Sequence, residues 1–163
     1  MKKNISFITI LSIIFIFSTT TPANAFNTTT TEKHFEYLQN GDYFETSIET
    51  THISNPVLST LYTTTATQKI TKTKTGTYKT SDDKSLWYVS ITGTFTFNGS
   101  TSRCIKCSHN AGSYAKSWFI KSVSSTKNDN SATATVIAIH SGNTNNTLKK
   151  QITISCSKNG NIY

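Results

Sequence analysis

Acidic residues are scarce in this chain of 163 residues, which has 8 Asp and Glu against 16 Lys and Arg. Five of the eight precede residue 51, so a glycosidase-type pair of carboxylates has few candidates. The chain also lacks a Gly-x-Ser-x-Gly motif, a phosphate-binding loop and a dinucleotide fingerprint. Its four histidines are scattered, and none is paired with a Ser or Cys in a recognisable nucleophile setting. We therefore expect no catalytic residue, no cofactor and no enzymatic activity.

Proline and methionine are also rare, with two copies and one, whereas 31 Thr and 21 Ser make up nearly a third of the chain. Thr and Ser are weak helix formers, because their χ1 angles are restricted and their hydroxyls compete for backbone hydrogen bonds. Thr, in contrast, fits a pleated strand. The composition argues against a helical bundle. It also argues against disorder, since 11% aromatic and 15% charged residues are compatible with a hydrophobic core.

A long hydrophobic run occurs only near the start of the chain. Ile5 to Phe17 is almost wholly apolar, but its 13 residues are fewer than the roughly 20 needed to cross a bilayer as a helix. Lys2 and Lys3 precede this run and Ala23-Asn24-Ala25 follows it, which is the layout of a secretory signal peptide over residues 1–25. We expect cleavage after Ala25 and a secreted protein, extracellular or loosely wall-associated, without a membrane span.

The charges of the remaining chain are unevenly placed. Residues 26–50 hold five acidic side chains and one Lys, a net charge of −4, whereas residues 51–163 hold 13 basic and three acidic side chains, a net charge of +10. One explanation is that the acidic N-terminal segment docks on a basic body. The other is that the basic surface meets an external polyanion.

The first part of the expected mature chain, residues 26–41, reads as a flexible leader with a short helix. Thr29 and Glu32 have the Thr-x-x-Glu spacing of a helix start, and Gly41 could end the element. These signals favour a helix over Glu32 to Gln39.

Residues 42–163 have the pattern of one β-sandwich domain. About seven short strands recur at roughly ten-residue spacing, with turn residues between them. This spacing predicts an all-β antiparallel sandwich, immunoglobulin-like or barrel-like. The polar strand at 67–80 suits a sheet edge, and Asn98-Gly99 predicts a hairpin. Seven apolar residues that alternate with polar ones, and so share one face of their strand, are the expected core: Trp87, Val89, Ile91, Phe95, Phe97, Ile152 and Ile154.

The three cysteines, Cys104, Cys107 and Cys156, leave at least one thiol unpaired. Cys104 and Cys107 are three residues apart, so in a regular strand they point to opposite faces and are not easily joined. Closing either long loop to Cys156 would contribute roughly 4 kcal/mol by chain entropy, against about 2 kcal/mol for the short loop. Entropy does not separate the two long-loop pairings.

Several motifs follow one another between residues 76 and 163. They include Leu86-Trp87-Tyr88-Val89, Gly93 to Gly99, and Cys104 and Cys156 on either side of the later strands. Together they resemble a family of small exported proteins of Gram-positive Firmicutes that has no assigned function. The resemblance implies a Cys104–Cys156 disulfide, leaves Cys107 as a free thiol and brings no catalytic residue.

Cys104, Cys107 and Cys156, with His109 nearby, could also supply four zinc ligands. Such a site requires thiols that stay reduced outside the cell, where disulfides form readily. We therefore expect no metal site.

Basic residues recur in neighbouring strands, with tyrosines among them, and they predict a basic face. We expect this face to bind an anionic cell-wall polymer or glycan, and no nucleic acid, because the protein is exported. The predicted function is a secreted, non-enzymatic binding or surface-interaction module; the alternative is a small exported toxin, bacteriocin or inhibitor. The sequence carries no signal for an oligomeric state. The basic face comprises Lys72, Lys74, Lys79, Arg103 and Lys106.

Thr-x-Thr runs lie at residues 71–77 and 92–96. They could form a hydroxyl ladder that orders water or stacks on sugar, although such threonines are more often the ordinary solvent face of a strand.

Overall fold

The structure is a computed structural model that describes residues 26–54 and 67–163. For residues 26–29, 50–54 and 143–146 it describes the backbone only. The predicted signal peptide, its cleavage after Ala25 and the apolar run before it lie outside the described residues.

Within residues 26–54 and 67–163, eight strands form two antiparallel sheets, which pack face to face as a sandwich. One sheet has five strands in the order β1-β2-β3-β4-β5, and the other has three in the order β6-β7-β8. The predicted all-β antiparallel sandwich is therefore confirmed. Both sheets are meanders in chain order, whereas immunoglobulin domains use Greek-key connections. The strands are β1 (Phe26–Tyr37), β2 (Tyr43–Ser54), β3 (Gln68–Lys79), β4 (Ser85–Phe97), β5 (Ser102–Ser113), β6 (Trp118–Asn128), β7 (Ser131–His140) and β8 (Asn143–Ser155).

The short helix expected over Glu32 to Gln39 is wrong. Residues up to Tyr37 belong to β1, which pairs with β2 along its whole length, from Phe26 opposite Ser54 to Tyr37 opposite Tyr43. The run of threonines in this segment favours a strand, and pairing with β2 overrides the local Thr-x-x-Glu signal. Gly41, with φ of 85°, serves the β1–β2 turn instead of ending a helix.

The core lies between β4 of the larger sheet and β7 and β8 of the smaller one. Trp87, Val89, Ile91 and Phe95 of β4 are fully buried, and Ile152 and Ile154 of β8 are buried as predicted; Phe97 is only partly buried. The inward residues of β7 are small, which leaves room for the bulky side chains of β4 and so permits close packing. These residues of β7 are Ala132, Ala134, Val136 and Ala138.

The strand that was expected at a sheet edge, β3, is central. It pairs with β4 along its length and with β2 from Tyr43 opposite Lys79 to Ile48 opposite Lys74. Its inward face carries Gly76 and Tyr78, both buried, so β3 contributes to the core at one end. The edges of the five-stranded sheet are β1 and β5.

The hairpin at Asn98-Gly99 is confirmed, but its turn is longer than two residues. β4 ends at Phe97 and β5 begins at Ser102. Of these two turn residues only Gly99 has a positive φ, 83°, and the Asn98 side chain accepts hydrogen bonds from the backbone of Ser100 and Thr101.

Over the two stretches that the structure covers, no helix is long and apolar enough to cross a membrane.

Candidate functional site

The five residues of the predicted basic face do not share one surface. In β3, Lys72 lies opposite Gly93 and Lys74 opposite Ile91, so both belong to the inward-facing side of the sheet. Lys79 belongs to the opposite side, which we call the outer face: the side of the five-stranded sheet turned away from the three-stranded one. Successive residues of a strand point to opposite faces of the sheet. The even-numbered lysines of β3 therefore lie on the inward side, and the odd-numbered lysines lie on the outer face.

Lys74 lies in a groove lined by residues of β1, β2, β3 and β8. The groove has a volume of about 340 Å³, and His34, Glu36 and Gln151 also line it. Burial lowers the pKa of Lys74, and the Glu32 carboxylate opposes that effect. The charges around Lys74 are therefore mixed, which does not suit a site for a polyanion.

Two ion pairs link the acidic N-terminal strands to basic residues elsewhere in the fold. Glu36 on β1 pairs with Lys150 on β8 at 2.6 Å, and the ammonium of Lys150 also lies 5.4 Å from the centre of the Phe44 ring. Glu45 on β2 pairs with Lys79 at 3.1 Å. These contacts support the explanation that the acidic segment docks on the basic body.

Lys79 is neutralised by its neighbours. Besides Glu45 it contacts Asp83 at 3.0 Å, and Lys33 approaches the same Glu45 carboxylate at 2.9 Å. Partial burial acts to raise the pKa of Glu45, but the hydrogen bonds from Lys33 and Lys79 outweigh it and hold the pKa below its usual range. Lys79 therefore belongs to a structural charge cluster.

The other two residues of the predicted set, Arg103 and Lys106, lie on the outer face together with Lys69. Lys69 is opposite Thr96, which is in turn opposite Arg103; Lys106 is opposite Thr94 in the next row. All three basic side chains are exposed, and none forms an ion pair with any residue in the described ranges. We call these three residues the basic end of the outer face.

Next to the basic end, threonines of β3 pair with threonines of β4 on the neighbouring strand. The hydroxyls of Thr71 and Thr94 are 3.0 Å apart, and those of Thr73 and Thr92 are 2.7 Å apart. This is the hydroxyl ladder that the Thr-x-Thr runs suggested. Ser108 of β5 continues it, because Thr92 lies opposite Ser108.

An aromatic pair lies at the far end of the outer face. Tyr88 on β4 and Tyr114 just after β5 have ring centroids 5.3 Å apart with an interplanar angle of 35°. Tyr88 lies opposite Gly112, and the Tyr88 hydroxyl accepts a hydrogen bond from the Asn110 side chain at 3.3 Å. Along β4 and β5 the outer face thus runs from basic residues through hydroxyls to aromatic rings, while the charge cluster of Glu45 and Lys79 occupies the same face on β2 and β3.

The argument that Cys104 and Cys107 face opposite sides is wrong because β5 contains a bulge. The register shifts between Thr94 and Phe95, so Cys104 lies opposite Phe95 and Cys107 opposite Gly93. Both partners belong to the inward side of β4. One extra residue in a strand moves each side chain that follows it to the opposite face of the sheet.

All three cysteines are free thiols, so the structure does not contain the Cys104–Cys156 disulfide that the resemblance implied. The backbone N–H groups of Cys104 and Cys156 donate to the neighbouring carbonyls of Asp129 and Asn130, so the β6–β7 turn contacts both residues. The two Sγ atoms, however, each contact a carbonyl close by on their own segment, at 3.4 Å in both cases. Burial raises the pKa of both thiols.

Cys107 has a different environment from the two buried cysteines. Its Sγ lies 3.8 Å from the Ser125 hydroxyl, and His109 Nδ1 lies 2.8 Å from the same hydroxyl. Cys107 is half-buried and His109 is exposed. Within the described part of the chain, no group of three or more His, Cys, Asp or Glu side chains is arranged to hold a metal ion.

The sequence alone did not separate Lys69 and the tyrosine pair from the other basic and aromatic residues. The signal was present in the strand parity of β3, where the odd positions are Lys69, four threonines and Lys79, while the even positions lead to Gly76 and Tyr78. Placing Lys69 beside Arg103 required the register of three strands, which only the structure supplies.

Comparisons with known proteins add no relative. The chain matches no protein-family model, no curated protein and no solved structure.

Proposed function

We propose that the protein is an exported, non-enzymatic binding module that engages an anionic cell-surface polymer through the outer face of its five-stranded sheet. The observation that carries this proposal is the basic end. Lys69, Arg103 and Lys106 are exposed on adjacent rows and have no acidic partner among the described residues.

The contrast with the other predicted basic residues supports this choice of surface. Lys79 is paired with two carboxylates, and Lys72 and Lys74 belong to the inward side of the sheet, so none of the three adds a free cation to the outer face. The basic end does offer free cations. Exposed charges of one sign attract a polyanion and accelerate its association.

A neighbouring groove extends the positive surface toward the second sheet. It lies between β5 and the β6–β7 turn, and Arg103 and Lys127 line it together with Asp129. Its two basic groups against one acidic group leave Arg103 in a net positive environment.

The hydroxyl ladder adds polar groups that suit a hydrated polymer. Thr71, Thr94 and Ser108 lie beside the basic end, and a hydroxyl can both donate and accept hydrogen bonds. Anionic groups of the partner would contact the basic end, while its hydroxyls or waters would contact the ladder.

The proposal is tested by retention of the purified protein on Gram-positive cell walls. We expect retention at low salt that falls steeply toward 1 M salt, where the Debye length is about 3 Å. The double charge reversal Lys69→Glu with Arg103→Glu should weaken retention roughly tenfold or more, since each basic residue at an anionic surface contributes about 1 kcal/mol.

The matched control is Lys121→Glu with Lys149→Glu, which changes the net charge by the same amount at two exposed lysines of the three-stranded sheet. It should leave retention close to that of the unchanged protein. Retention that does not depend on salt, or that falls equally in the control and the outer-face double variant, would contradict the proposal.

A further inference from the structure

The ring of Tyr88 lies directly against the backbone of the neighbouring strand. A Cβ placed on Gly112 would be 2.8 Å from Cε1 of Tyr88 and 3.1 Å from its hydroxyl oxygen, so the ring occupies the space that any other residue at position 112 would fill. Glycine at this position permits an aromatic ring to lie over β5. One face of the ring is thereby covered by the protein.

Two further contacts hold this ring in place. Asn110 donates a hydrogen bond to its hydroxyl at 3.3 Å, and the Tyr114 ring lies beside it at 5.3 Å between centroids. Tyr114 keeps 63% of its surface exposed. Two side chains that are already ordered lose little conformational entropy when a ligand binds them.

An aromatic pair made of the half-buried Tyr88 and the exposed Tyr114, beside a row of hydroxyls, matches the chemistry of a sugar ring. The face of a pyranose presents C–H groups, whose burial against an aromatic ring is favourable, while its edges carry hydroxyls that need hydrogen-bond partners. Ser90 and Thr92 follow Tyr88 on the outer face of β4 and lead into the hydroxyl ladder. Both kinds of contact are therefore available on one strand.

The spacing along β4 then relates the aromatic pair to the basic end. From Tyr88 to Thr96, the neighbour of Arg103, the strand advances eight residues, or about 27 Å. A chain of several sugar units covers such a length. A single monosaccharide does not.

We propose that Tyr88 and Tyr114 form a stacking site for a pyranose ring and that the polymer bound by the outer face is an acidic polysaccharide. This inference rests on the proposed function and specifies its ligand. The sugar rings contact the tyrosines and the hydroxyl ladder, and the carboxylate or phosphate substituents contact Lys69, Arg103 and Lys106.

Single-stranded nucleic acid also combines aromatic stacking with basic contacts, but the layout of this face fits it less well. Proteins that bind single strands place basic residues along the path of the backbone, beside the stacked bases. Here the described basic end and the aromatic pair are at opposite ends of β4, with uncharged hydroxyls between them.

The test compares three soluble polyanions by isothermal titration at low salt. Hyaluronan has sugar rings and carboxylates, polyglutamate has carboxylates without sugar rings, and oligothymidylate has bases and phosphates. We expect tighter binding of hyaluronan than of the other two. Tyr88→Ala and Tyr114→Ala should each weaken hyaluronan binding roughly tenfold, the size of one aromatic stacking contact, and should leave polyglutamate binding unchanged.

Two variants serve as controls. Tyr163→Ala removes a tyrosine that is 58% exposed, comparable to Tyr114, and that lies beside β8, so hyaluronan binding should not change. Tyr88→Phe keeps the ring and loses only the hydrogen bond from Asn110, so most of the binding should remain. Tyr114→Ala still tests the inference if Tyr88→Ala fails to fold, because Tyr114 is largely exposed.

The outcomes separate this inference from the proposed function. Equal binding of hyaluronan and polyglutamate, unaffected by the tyrosine variants, would overturn the sugar site and leave the polyanion surface standing. Tyrosine-dependent binding of oligothymidylate that exceeds that of hyaluronan would replace the glycan by nucleic acid. Binding of none of the three polymers would overturn both proposals.

Discussion

At the scale of single residues, Tyr78 shows how a polar group is accommodated at the end of the core. Its ring packs against Trp87 and Trp118 with centroid distances of 5.5 and 5.4 Å. Its hydroxyl donates a hydrogen bond to Asp42 at 2.5 Å. Burial, together with this hydrogen bond, raises the pKa of Tyr78 to about 12.

The raised pKa of Tyr78 predicts alkaline sensitivity. A folded-state pKa above the ordinary value of 10.0 contributes stability that is fully present below pH 10 and is lost as the pH rises toward 12. Absorbance titration of tyrosinate should show a step near pH 12 that Tyr78→Phe removes. Persistence of that step in Tyr78→Phe would contradict the assignment.

The three thiols should differ in reactivity. Cys104 and Cys156 are 3% and 0% exposed and their pKa values are raised by burial, so few thiolates are available to a reagent. Cys107 is half-buried on β5, the edge strand of its sheet. Iodoacetamide followed by peptide mapping should label Cys107 first, and the other two only after unfolding. Equal labelling of all three in the folded protein would be inconsistent with this core.

At the scale of secondary structure, the packing of β4 on β7 should dominate stability. Trp87 is fully buried and contacts Phe44 and Trp118 with ring centroids 5.7 and 6.4 Å apart. Trp87→Ala should lower the free energy of unfolding by about 3 to 5 kcal/mol. Phe119→Ala, at a residue that is 44% exposed on β6, should cost much less. Denaturant unfolding measures both, and similar losses would argue against this location of the core.

The charge cluster that joins β1, β2 and β3 should give the sandwich an acid-sensitive element. Because the pKa of Glu45 is lowered, its contribution is present above the ordinary value of 4.5 and is lost as the pH falls through the folded-state pKa below it. Glu45→Gln should destabilise the protein by about 1 to 2 kcal/mol at neutral pH. This difference in the free energy of unfolding should vanish in acid. Denaturant unfolding at neutral and acidic pH measures it, and a difference of the same size at both pH values would contradict this role of the charge cluster.

The strands β4, β7 and β8 could be predicted from sequence because their apolar residues alternate clearly. The alternation of Trp87, Val89 and Ile91 gives the correct inward face, and all three are fully buried. The N-terminal strand could not be predicted in the same way. Its side chains from residue 30 to 37 are exposed on both faces, so β1 has no apolar period, and only its pairing with β2 defines it.

Features that depend on register were the least predictable. The bulge in β5 adds one residue and brings Cys107 to the same side as Cys104, and no local signal marks it. The recurrence of basic residues in neighbouring strands predicts one basic face that includes Lys72 and Lys74. Their parity in β3 places them on the inward side instead.

At the scale of the whole molecule, the uneven charge of the chain has two separate consequences. The acidic strands β1 and β2 neutralise Lys79 and Lys150, which accounts for part of the positive charge after residue 50. The basic end lies on a different part of the surface, and its three residues have no ion-pair partner among the described residues. The two explanations offered by the sequence thus concern different residues, and they are compatible with each other.

The central claim is that the outer face of the five-stranded sheet is the binding surface, and amide chemical-shift mapping with hyaluronan tests it most directly. We predict that the changes will concentrate on outer-face residues from Lys69 and Arg103 through Thr94 to Tyr88. Changes confined to the groove around His34 and Lys74, or to the three-stranded sheet, would contradict the claim.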